Sequence, residues 1–301
     1  MRDRAFESRG FVMNRISVNN GTRVLQSAMW PVHDVRPATV VAHREAVERV
    51  IKMMHDRLDE PLTLQEMSKT AYISPYHFNR IFRQITGIPP NQFFYALRLE
   101  TAKRLLLTTN TNVTDVCFDV GYNSLGTFIR RFTALVGLSP GHFRSFACHE
   151  TPGLSEPAAN GFDVAAPSGI SGKVTAPEWF DGSIFVGLFT TPIPQGPPVS
   201  GTVVAQPGTY RFPPVADGVY YLLAAGVASS KDFKEQFLYE STLRGGGQPI
   251  LICDGVVEGP TDISLRPPEP FDPPILMALP LLLSRINAVV QPAKQARAAA
   301  M

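Results

Sequence analysis

The sequence predicts an α + β chain of two domains, an all-α double helix-turn-helix domain followed by an all-β antiparallel sandwich. Two segments of the N-terminal half, 62–87 and 113–137, repeat one helical plan. Beyond residue 169, short runs rich in Val, Ile, Phe, Tyr and Thr alternate with Gly, Pro and Asp turns, as strands do. Between these halves, residues 149–168 are rich in Pro, Ala, Ser and Gly, which is typical of an interdomain linker.

The 301 residues are enough for two ordinary domains with tails. From His43 onward, apolar residues recur at helical spacing and predict a first helix that packs on the first repeat. Before that point no periodicity is sustained. The expected order is a flexible leader (1–42), the helical domain (43–148), the linker (149–168), the sandwich (169–290) and a tail (291–301).

The second helix of the first repeat is predicted to bury one face. Its apolar residues fall at i, i+3, i+4 and i+7: Phe78, Ile81, Phe82 and Ile85. Ser74 is placed to cap its N-terminus, Pro75 suits its first turn, and Gly87 suits its C-terminal cap. The outward face combines phosphate-seeking charge with groups that can read base edges, as a helix in a major groove requires. Its members are Tyr76, Asn79, Arg80 and Arg83.

The second repeat follows the same plan. Its buried stripe consists of Phe128, Phe132 and Leu135, and the residues expected to project together on the far side are Thr127, Arg130 and Arg131. A single amphipathic helix with two arginines is more often a solvated surface helix. Because the whole plan recurs, the sequence favours DNA binding over that alternative.

Four spaced motifs occur in order along this region. They are Ser74-Pro75-Tyr76-His77-Phe78-x-Arg80-x-Phe82 with Thr86-Gly87, then Arg98-Leu99-x-x-Ala102-x-x-Leu105-Leu106, Gly121-Tyr122-x-Ser124-x-x-x-Phe128-x-Arg130-x-Phe132, and Gly137-x-Ser139-Pro140-x-x-Phe143-Arg144. With them the block from about Ala46 to Phe146 resembles the AraC/XylS-type DNA-binding domain. The resemblance implies two recognition helices, joined by a linker helix at about Pro90 to Thr108, that enter successive major grooves, so that one copy could read a bipartite site.

The helical faces and the resemblance together give the candidate DNA contacts. They are Ser74, Tyr76, His77, Asn79, Arg80, Arg83, Asn123, Ser124, Gly126, Thr127, Arg130 and Arg131. Leu125 and Gly126 stand where relatives are often polar, so we expect the first helix to read bases and the second to contact mainly phosphates. Tyr72 stands where glycine is common, which predicts a slightly different turn or an unusual contact. Arg98 is expected to form an internal ion pair or a phosphate contact.

Charge and cysteine content narrow the function classes. Residues 43–150 carry 13 Lys and Arg against 10 Asp and Glu, whereas residues 168–290 carry 7 against 11. Double-stranded DNA is the expected partner of the first half, with RNA polymerase and a small-molecule effector as further candidates and a monomer or homodimer as the assembly. Cys117, Cys148 and Cys253 are too far apart to predict a disulfide framework or a structural zinc, and no cofactor is expected. The lack of a signal peptide or a membrane-spanning run favours a cytoplasmic protein.

About seven strands are expected in the C-terminal half. The runs are ISGKVTA, SIFVGLFTT, GTYRFPPV, GVYYLLAAG, PILICDGVV and TDISLRP. Their order weakly resembles a prealbumin-like sandwich of the carboxypeptidase-regulatory type. We also expect a helix near Ser230 to Leu243, a closing segment at Pro274 to Asn287, and Pro-rich stretches that cover sheet edges at Thr191 to Val199 and Pro267 to Pro274.

Nothing in this half predicts an enzyme, because residues 168–290 contain no histidine and no acidic cluster with metal-ligand spacing. The run Arg244-Gly245-Gly246-Gly247 favours a mobile loop over an anion cradle. A ligand or dimer contact would use an aromatic set of which strand alternation should leave about half outward: Phe185, Phe189, Tyr210, Phe212, Tyr220 and Tyr221.

The sequence therefore predicts a sequence-specific transcriptional regulator whose β-sandwich senses a ligand, dimerises or contacts a partner. The alternative is a DNA-targeted binding module whose sandwich binds carbohydrate, peptide or protein without changing DNA affinity.

Overall fold

The computed structural model describes residues 16–19, 22–25, 37–148, 169–228 and 242–278. The chain divides into two compact units, Met1–Ala42 and His43–Met301. In the first unit, strands β1 (Ile16–Asn19) and β2 (Thr22–Leu25) pair antiparallel. The rest of the predicted leader up to residue 36, the linker at 149–168 and the tail at 291–301 lie outside the described residues.

Seven helices occupy the described part of residues 37–148, and eight strands follow in the described part of 169–278, which confirms the predicted fold class. The first helix begins at Pro37, six residues before the expected start at His43. The helices are α1 (Pro37–Asp56), α2 (Leu64–Ala71), α3 (Pro75–Thr86), α4 (Pro90–Thr108), α5 (Val113–Asp119), α6 (Leu125–Val136) and α7 (Pro140–Cys148).

The two helix-turn-helix turns, α2–α3 and α5–α6, have the same backbone geometry. Ile73 N–H donates to the Ser68 carbonyl at 3.1 Å, and Tyr122 N–H donates to the Cys117 carbonyl at 3.0 Å. The residue before each donor, Tyr72 (φ 58°) or Gly121 (φ 76°), has a left-handed backbone. The tyrosine thus adopts the conformation that glycine takes in the second turn, although a side chain makes it less favourable.

Side chains cap three of these four helices. Thr63 and Glu66 form a reciprocal capping box at α2, and the side chain of Asn112 accepts from Asp115 N–H at α5. Ser124 accepts from the backbone N–H of Thr127 at α6. Ser74 occupies the N-cap position of α3 but its hydroxyl makes no capping hydrogen bond, contrary to the expectation from its position.

Each repeat is built around three packed phenylalanines. In the first, the ring centroids of Phe78 and Phe82 are 5.5 Å apart, and those of Phe82 and Phe93 are 5.4 Å apart. The corresponding distances in the second repeat are 5.7 and 5.6 Å, among Phe128, Phe132 and Phe143. All six rings are fully buried. Phe93 in the first turn of α4 and Phe143 in the first turn of α7 therefore complete the core of the repeat that precedes each helix.

Arg98 of α4 contacts both repeats through its buried guanidinium, in place of the internal ion pair or phosphate contact expected from sequence. Its buried guanidinium donates to the carbonyls of Leu58 and Glu60, each at 2.7 Å, and lies 4.4 Å from the ring centre of Phe94. Burial lowers the pKa of Arg98. A Cβ at Gly121 would lie 2.5 Å from Arg98 Nη2, so the second turn also packs directly on this side chain.

The C-terminal half forms two sheets. Their strands are β3 (Ile170–Thr175), β4 (Gly182–Phe189), β5 (Ser200–Val204), β6 (Gly208–Phe212), β7 (Gly218–Ala228), β8 (Leu243–Cys253), β9 (Val256–Glu258) and β10 (Ile263–Ser264). The three-stranded sheet has the order β10-β3-β6 and the five-stranded sheet β5-β4-β7-β8-β9. All neighbours are antiparallel except β10 and β3, which are parallel. One core of buried apolar residues fills the space between the sheets.

Several local predictions in this half need correction. Strand β5 was not expected, and the glycine run 245–247 lies within β8 instead of a mobile loop. Leu243 begins β8, so the helix predicted for Ser230 to Leu243 does not reach it, and residues 229–241 lie outside the described residues. Residues 274–278 of the predicted closing segment have no helix or strand, and the rest of that segment lies outside the described residues.

The two Pro-rich stretches contact the helical domain. Gly196 N–H donates to the Leu135 carbonyl at 2.7 Å, and Ala278 N–H, just beyond the second stretch, donates to the Val136 carbonyl at 3.0 Å. These carbonyls belong to the last turn of α6, where a helix leaves its acceptors unpaired. Ile193 is also buried in the core of the helical domain. The first stretch and the segment just beyond the second therefore dock the sandwich on the helices.

Candidate nucleic-acid interface

The outward face of α3 is formed as the sequence predicts. Tyr76, Asn79 and Arg80 are exposed, with Tyr76 at 80% exposure, and Arg83 is half-buried. The opposite face carries the buried Phe78. Since α3 is fixed by this ring and its neighbours, its polar face is held rigidly at the surface. The exposed Ser74 lies at the start of the helix.

His77 lies on the flank of α3 that faces α1. It is half-buried, and its ring centroid is 5.8 Å from that of His43, edge to face. Burial lowers the pKa of His43, and the neighbouring His77 and Arg80 act in the same direction. His77 therefore has a packing contact within the protein besides any contact with DNA.

The corresponding face of α6 carries less charge. Asn123, Ser124, Gly126 and Arg130 are exposed, and Thr127 is half-buried. The Ser124 hydroxyl lies 3.4 Å from the Thr127 backbone nitrogen, from which it accepts. The exposed Arg130 supplies the positive charge of this face.

Arg131 does not project beside Arg130, contrary to the expectation from sequence. Its guanidinium carbon lies 4.5 Å from the ring centre of Tyr95 on α4, although the residue is exposed. A guanidinium over an aromatic face is a favourable contact. At helical spacing, position 131 lies nearer than position 130 to the stripe of Phe128 and Phe132, and this turns it toward α4.

Tyr72 and Arg49 were not among the sequence-predicted contacts. Tyr72 is 86% exposed and lies in the turn between α2 and α3, four residues before Tyr76. The guanidinium carbon of Arg49, on α1, is 5.7 Å from the centre of its ring. The tyrosine at position 72, where glycine is common, was the sequence signal for this contact. The sequence did not indicate that Arg49 of α1 lies beside this turn.

Five of the six aromatic residues predicted for ligand or dimer contact belong to the core. Phe185, Phe189, Tyr210, Phe212 and Tyr220 are buried, and Tyr221 is half-buried. The Tyr210 hydroxyl donates to the Thr261 carbonyl, the Tyr220 hydroxyl donates to Ala216 at 2.9 Å, and burial raises the pKa of Tyr210. The alternation of side chains along β4 does place Phe185 and Phe189 on the outer face of the five-stranded sheet, but Ile275 and Met277 cover both rings.

Asp217, Cys253 and Asp254 are the one group of potential metal ligands that converges within the described residues. The Asp217 carboxylate accepts from Asp254 N–H at 3.1 Å, and Asp254 has a left-handed backbone (φ 52°). This is the geometry of a turn held by an aspartate, a sufficient structural role for the group.

The geometry defines a class of domain: two helix-turn-helix units on a shared linker helix, each with a second helix exposed on one side. The family described as "Helix-turn-helix domain" matches residues 67–145. The chain is 33% identical over 95 residues to the uncharacterized HTH-type transcriptional regulator YobQ of Bacillus subtilis, covering 32% of this chain and 39% of that protein. It is 30% identical over 129 residues to the bifunctional transcriptional activator/DNA repair enzyme AdaA of the same organism, covering 42% and 61%.

The match thus spans less than two thirds of the length of these two relatives. Among solved structures, a probable AraC family transcriptional regulator from Rhodopseudomonas palustris is 26% identical, with a TM-score of 0.32, over 34% of this chain and 96% of that one. Residues 67–145 of this chain thus match an AraC-type helix-turn-helix domain. No helix within the described residues is long and apolar enough to cross a membrane.

Proposed function

We propose that this protein is a sequence-specific DNA-binding transcriptional regulator that reads a bipartite site with α3 and α6. The observation that carries the proposal is the repetition of one turn geometry and one phenylalanine core, each presenting a helix with an exposed face. A structural helix pair would not need Tyr76 and Asn79 uncovered beside Arg80.

The linker helix supports two separate contacts on one duplex. Helix α4 has 19 residues. At a rise of about 1.5 Å per residue it is about 28 Å long, close to the helical repeat of about 34 Å that separates successive major grooves. Arg98 holds its middle against both repeats. A rigid spacer of this length would keep the half-site spacing constant.

The two helices are proposed to contribute differently. Helix α3 offers a hydroxyl and an amide, from Tyr76 and Asn79, beside its arginines, and such groups can discriminate base edges. Helix α6 offers Arg130 beside Gly126, which suits phosphate contact more than base reading. Arg131, which packs over Tyr95, is proposed to position α6.

The sandwich is proposed to control the helical domain. The support is its attachment to the last turn of α6 through backbone hydrogen bonds to Leu135 and Val136. A displacement of the segment around Gly196 would remove a partner from the end of this helix. RNA polymerase and a small-molecule effector are the further partners proposed, and the assembly is a monomer or a homodimer.

Selection of bound DNA from a random library by the full-length protein tests this proposal. An enriched motif with two half-sites about one helical turn apart supports it. If Asn79→Ala leaves the spacing of the enriched motif unchanged and removes base preference in one half-site only, that half-site is assigned to α3. If no motif is enriched, specific regulation is refuted. If a partner binds the sandwich with no change in DNA affinity, the protein is a DNA-targeted binding module instead.

A further inference from the structure

A cavity of about 430 Å³ lies between the first recognition helix and the sandwich. One wall is the end of α3 with its C-cap, residues 84–87, and the other consists of β4, β7, β8 and the segment 272–277. Its volume is in the range of sites that enclose small molecules, about 300–1,000 Å³. The cavity is therefore large enough for a ligand and in contact with a helix proposed to read DNA.

Cross-strand pairing brings three different side chains into one row on the cavity side of the sheet. Phe185 of β4 pairs with Ala225 of β7, which pairs with Arg244 of β8. Phe189 and Met277 extend the apolar part of the lining. The small side chain at Ala225 leaves room between the phenyl ring and the guanidinium. An apolar body and an anionic head could thus be accommodated along this row.

The charged lining residues are Arg244, Arg266 and Asp272, and two of them neutralise each other. The Arg266 guanidinium holds both oxygens of Asp272, at 2.9 and 2.7 Å. Arg244 donates through Nη1 to the Pro273 carbonyl, and its backbone pairs with that of Arg266. The lining consequently carries one more positive charge than negative charge.

The hydrogen-bonding capacity of Arg244 is incompletely used. Its Nε lies out of solvent and has no hydrogen-bond partner within the described residues. An unpartnered buried polar group costs stability, and the cost is larger when the group is charged. A ligand carboxylate that draws this edge of the guanidinium toward the cavity would supply the missing acceptor, and arginine binds carboxylates with two parallel hydrogen bonds.

The neighbouring glycines have a sufficient structural explanation. A Cβ at Gly245 would lie 2.6 Å from Ile263 Cγ2, and one at Gly246 would overlap the Leu222 carbonyl oxygen. Gly246 also has a left-handed backbone, next to the bulge where β7 and β8 change register between Tyr221 and Leu223. The glycines let β8 pass close to its neighbours, and Arg244 provides the group able to bind an anion.

We propose that this cavity binds a small monocarboxylate with an apolar body, its carboxylate on Arg244 and its body against Phe185, Phe189 and Met277. The binding site stands independently of DNA recognition. Its regulatory consequence rests on the proposed function, because Gln84 and Gly87 at the end of α3 form part of the wall. A ligand that contacts both walls favours one placement of α3 against the sandwich.

Calorimetric titration of the full-length protein, free of DNA, with benzoate, hexanoate and octanoate tests the site. Each acid is compared with its uncharged amide. Arg244→Gln removes the charge and Arg244→Lys retains it. Lys173→Gln, at an exposed position of β3, is the matched loss of one positive charge elsewhere. Because Arg244 also holds Pro273, Ala225→Leu provides a second variant that fills the cavity and leaves the arginine intact.

We expect saturable binding of at least one acid. Arg244→Gln should weaken it by about tenfold or more, because a charge-assisted hydrogen bond is lost. Ala225→Leu should weaken it by a similar factor because the larger side chain fills the cavity, and Lys173→Gln should leave it unchanged. Equal binding of acid and amide, binding of inorganic phosphate instead, or no saturable binding of any of the three acids would overturn the proposal. DNA affinity measured without ligand reports on the proposed function separately. Acid binding with no effect on DNA affinity would retain the site and overturn its regulatory role.

Discussion

The ammonium group of Lys103 donates a hydrogen bond of 2.6 Å to the carbonyl of Ile275, which joins the linker helix to the sandwich. Lys103 is 1% exposed and also lies 3.4 Å from the Leu276 carbonyl. The same segment donates to the end of α6 through Ala278. The segment 275–278 therefore contacts the centre of the helical domain and, through its other face, covers Phe185 and Phe189.

Replacing Lys103 with methionine should change how stability depends on pH. Burial lowers the pKa of Lys103 to about 7, below its ordinary value of 10.5. Between these values the folded protein binds fewer protons at this site than the unfolded chain, so wild-type stability should gain with rising pH. The difference in Tm between wild type and Lys103→Met, measured by thermal unfolding from pH 6 to 9, should shift in favour of the wild type above about pH 7. Parallel curves would contradict the assignment.

Replacing Arg98 should destabilise the helical domain. Arg98→Ala leaves the carbonyls of Leu58 and Glu60 without their partner and should lower the free energy of unfolding by about 3 kcal/mol. Arg98→Lys retains the charge without the planar fork and should fall between this variant and wild type. Denaturant unfolding measures both, with the exposed Lys69→Ala as control, expected within about 0.5 kcal/mol of wild type. Equal losses in Arg98→Ala and Lys69→Ala would refute the role.

Opposite substitutions in the equivalent turns should have opposite effects. Tyr72→Gly relieves a left-handed conformation that costs a residue with a side chain about 1–2 kcal/mol, partly offset by the lost contact with Arg49. Gly121→Ala introduces a Cβ 2.6 Å from the Leu58 carbonyl oxygen and 2.5 Å from Arg98 Nη2. Thermal unfolding should therefore show a higher Tm for the first variant and a lower Tm for the second. A Tm decrease in both would contradict the equivalence of the turns.

The two arginines of α6 should behave differently in DNA binding. Arg130→Ala should weaken specific and random DNA alike and lower the magnitude of the salt slope by about one unit. Arg131→Ala should leave that slope nearly unchanged and lower Tm, because its guanidinium packs over Tyr95. Fluorescence anisotropy at several salt concentrations, paired with thermal unfolding, distinguishes them. If the two variants had identical salt slopes, Arg131 would contact DNA phosphates as Arg130 does.

The sequence by itself determined the fold class and the repeated helical plan. Periodic phenylalanines such as Phe78 and Phe82, and turn residues such as Gly87, act within a few residues of chain, so their roles could be inferred from spacing. The exposed positions of Tyr76, Asn79 and Arg80 followed for the same reason. These are consequences of local geometry.

Only the tertiary structure decided the partners of residues that act at long range. Arg98 binds carbonyls near residue 60, Arg131 turns to Tyr95, and Lys103 reaches Ile275, contacts that no spacing rule specifies. The glycine run resembled a loop because the backbone approach of β7 to Gly246 is invisible in the sequence. Likewise, alternation placed Phe185 on the outer face, but the segment that covers this face arrives from about 90 residues further along the chain.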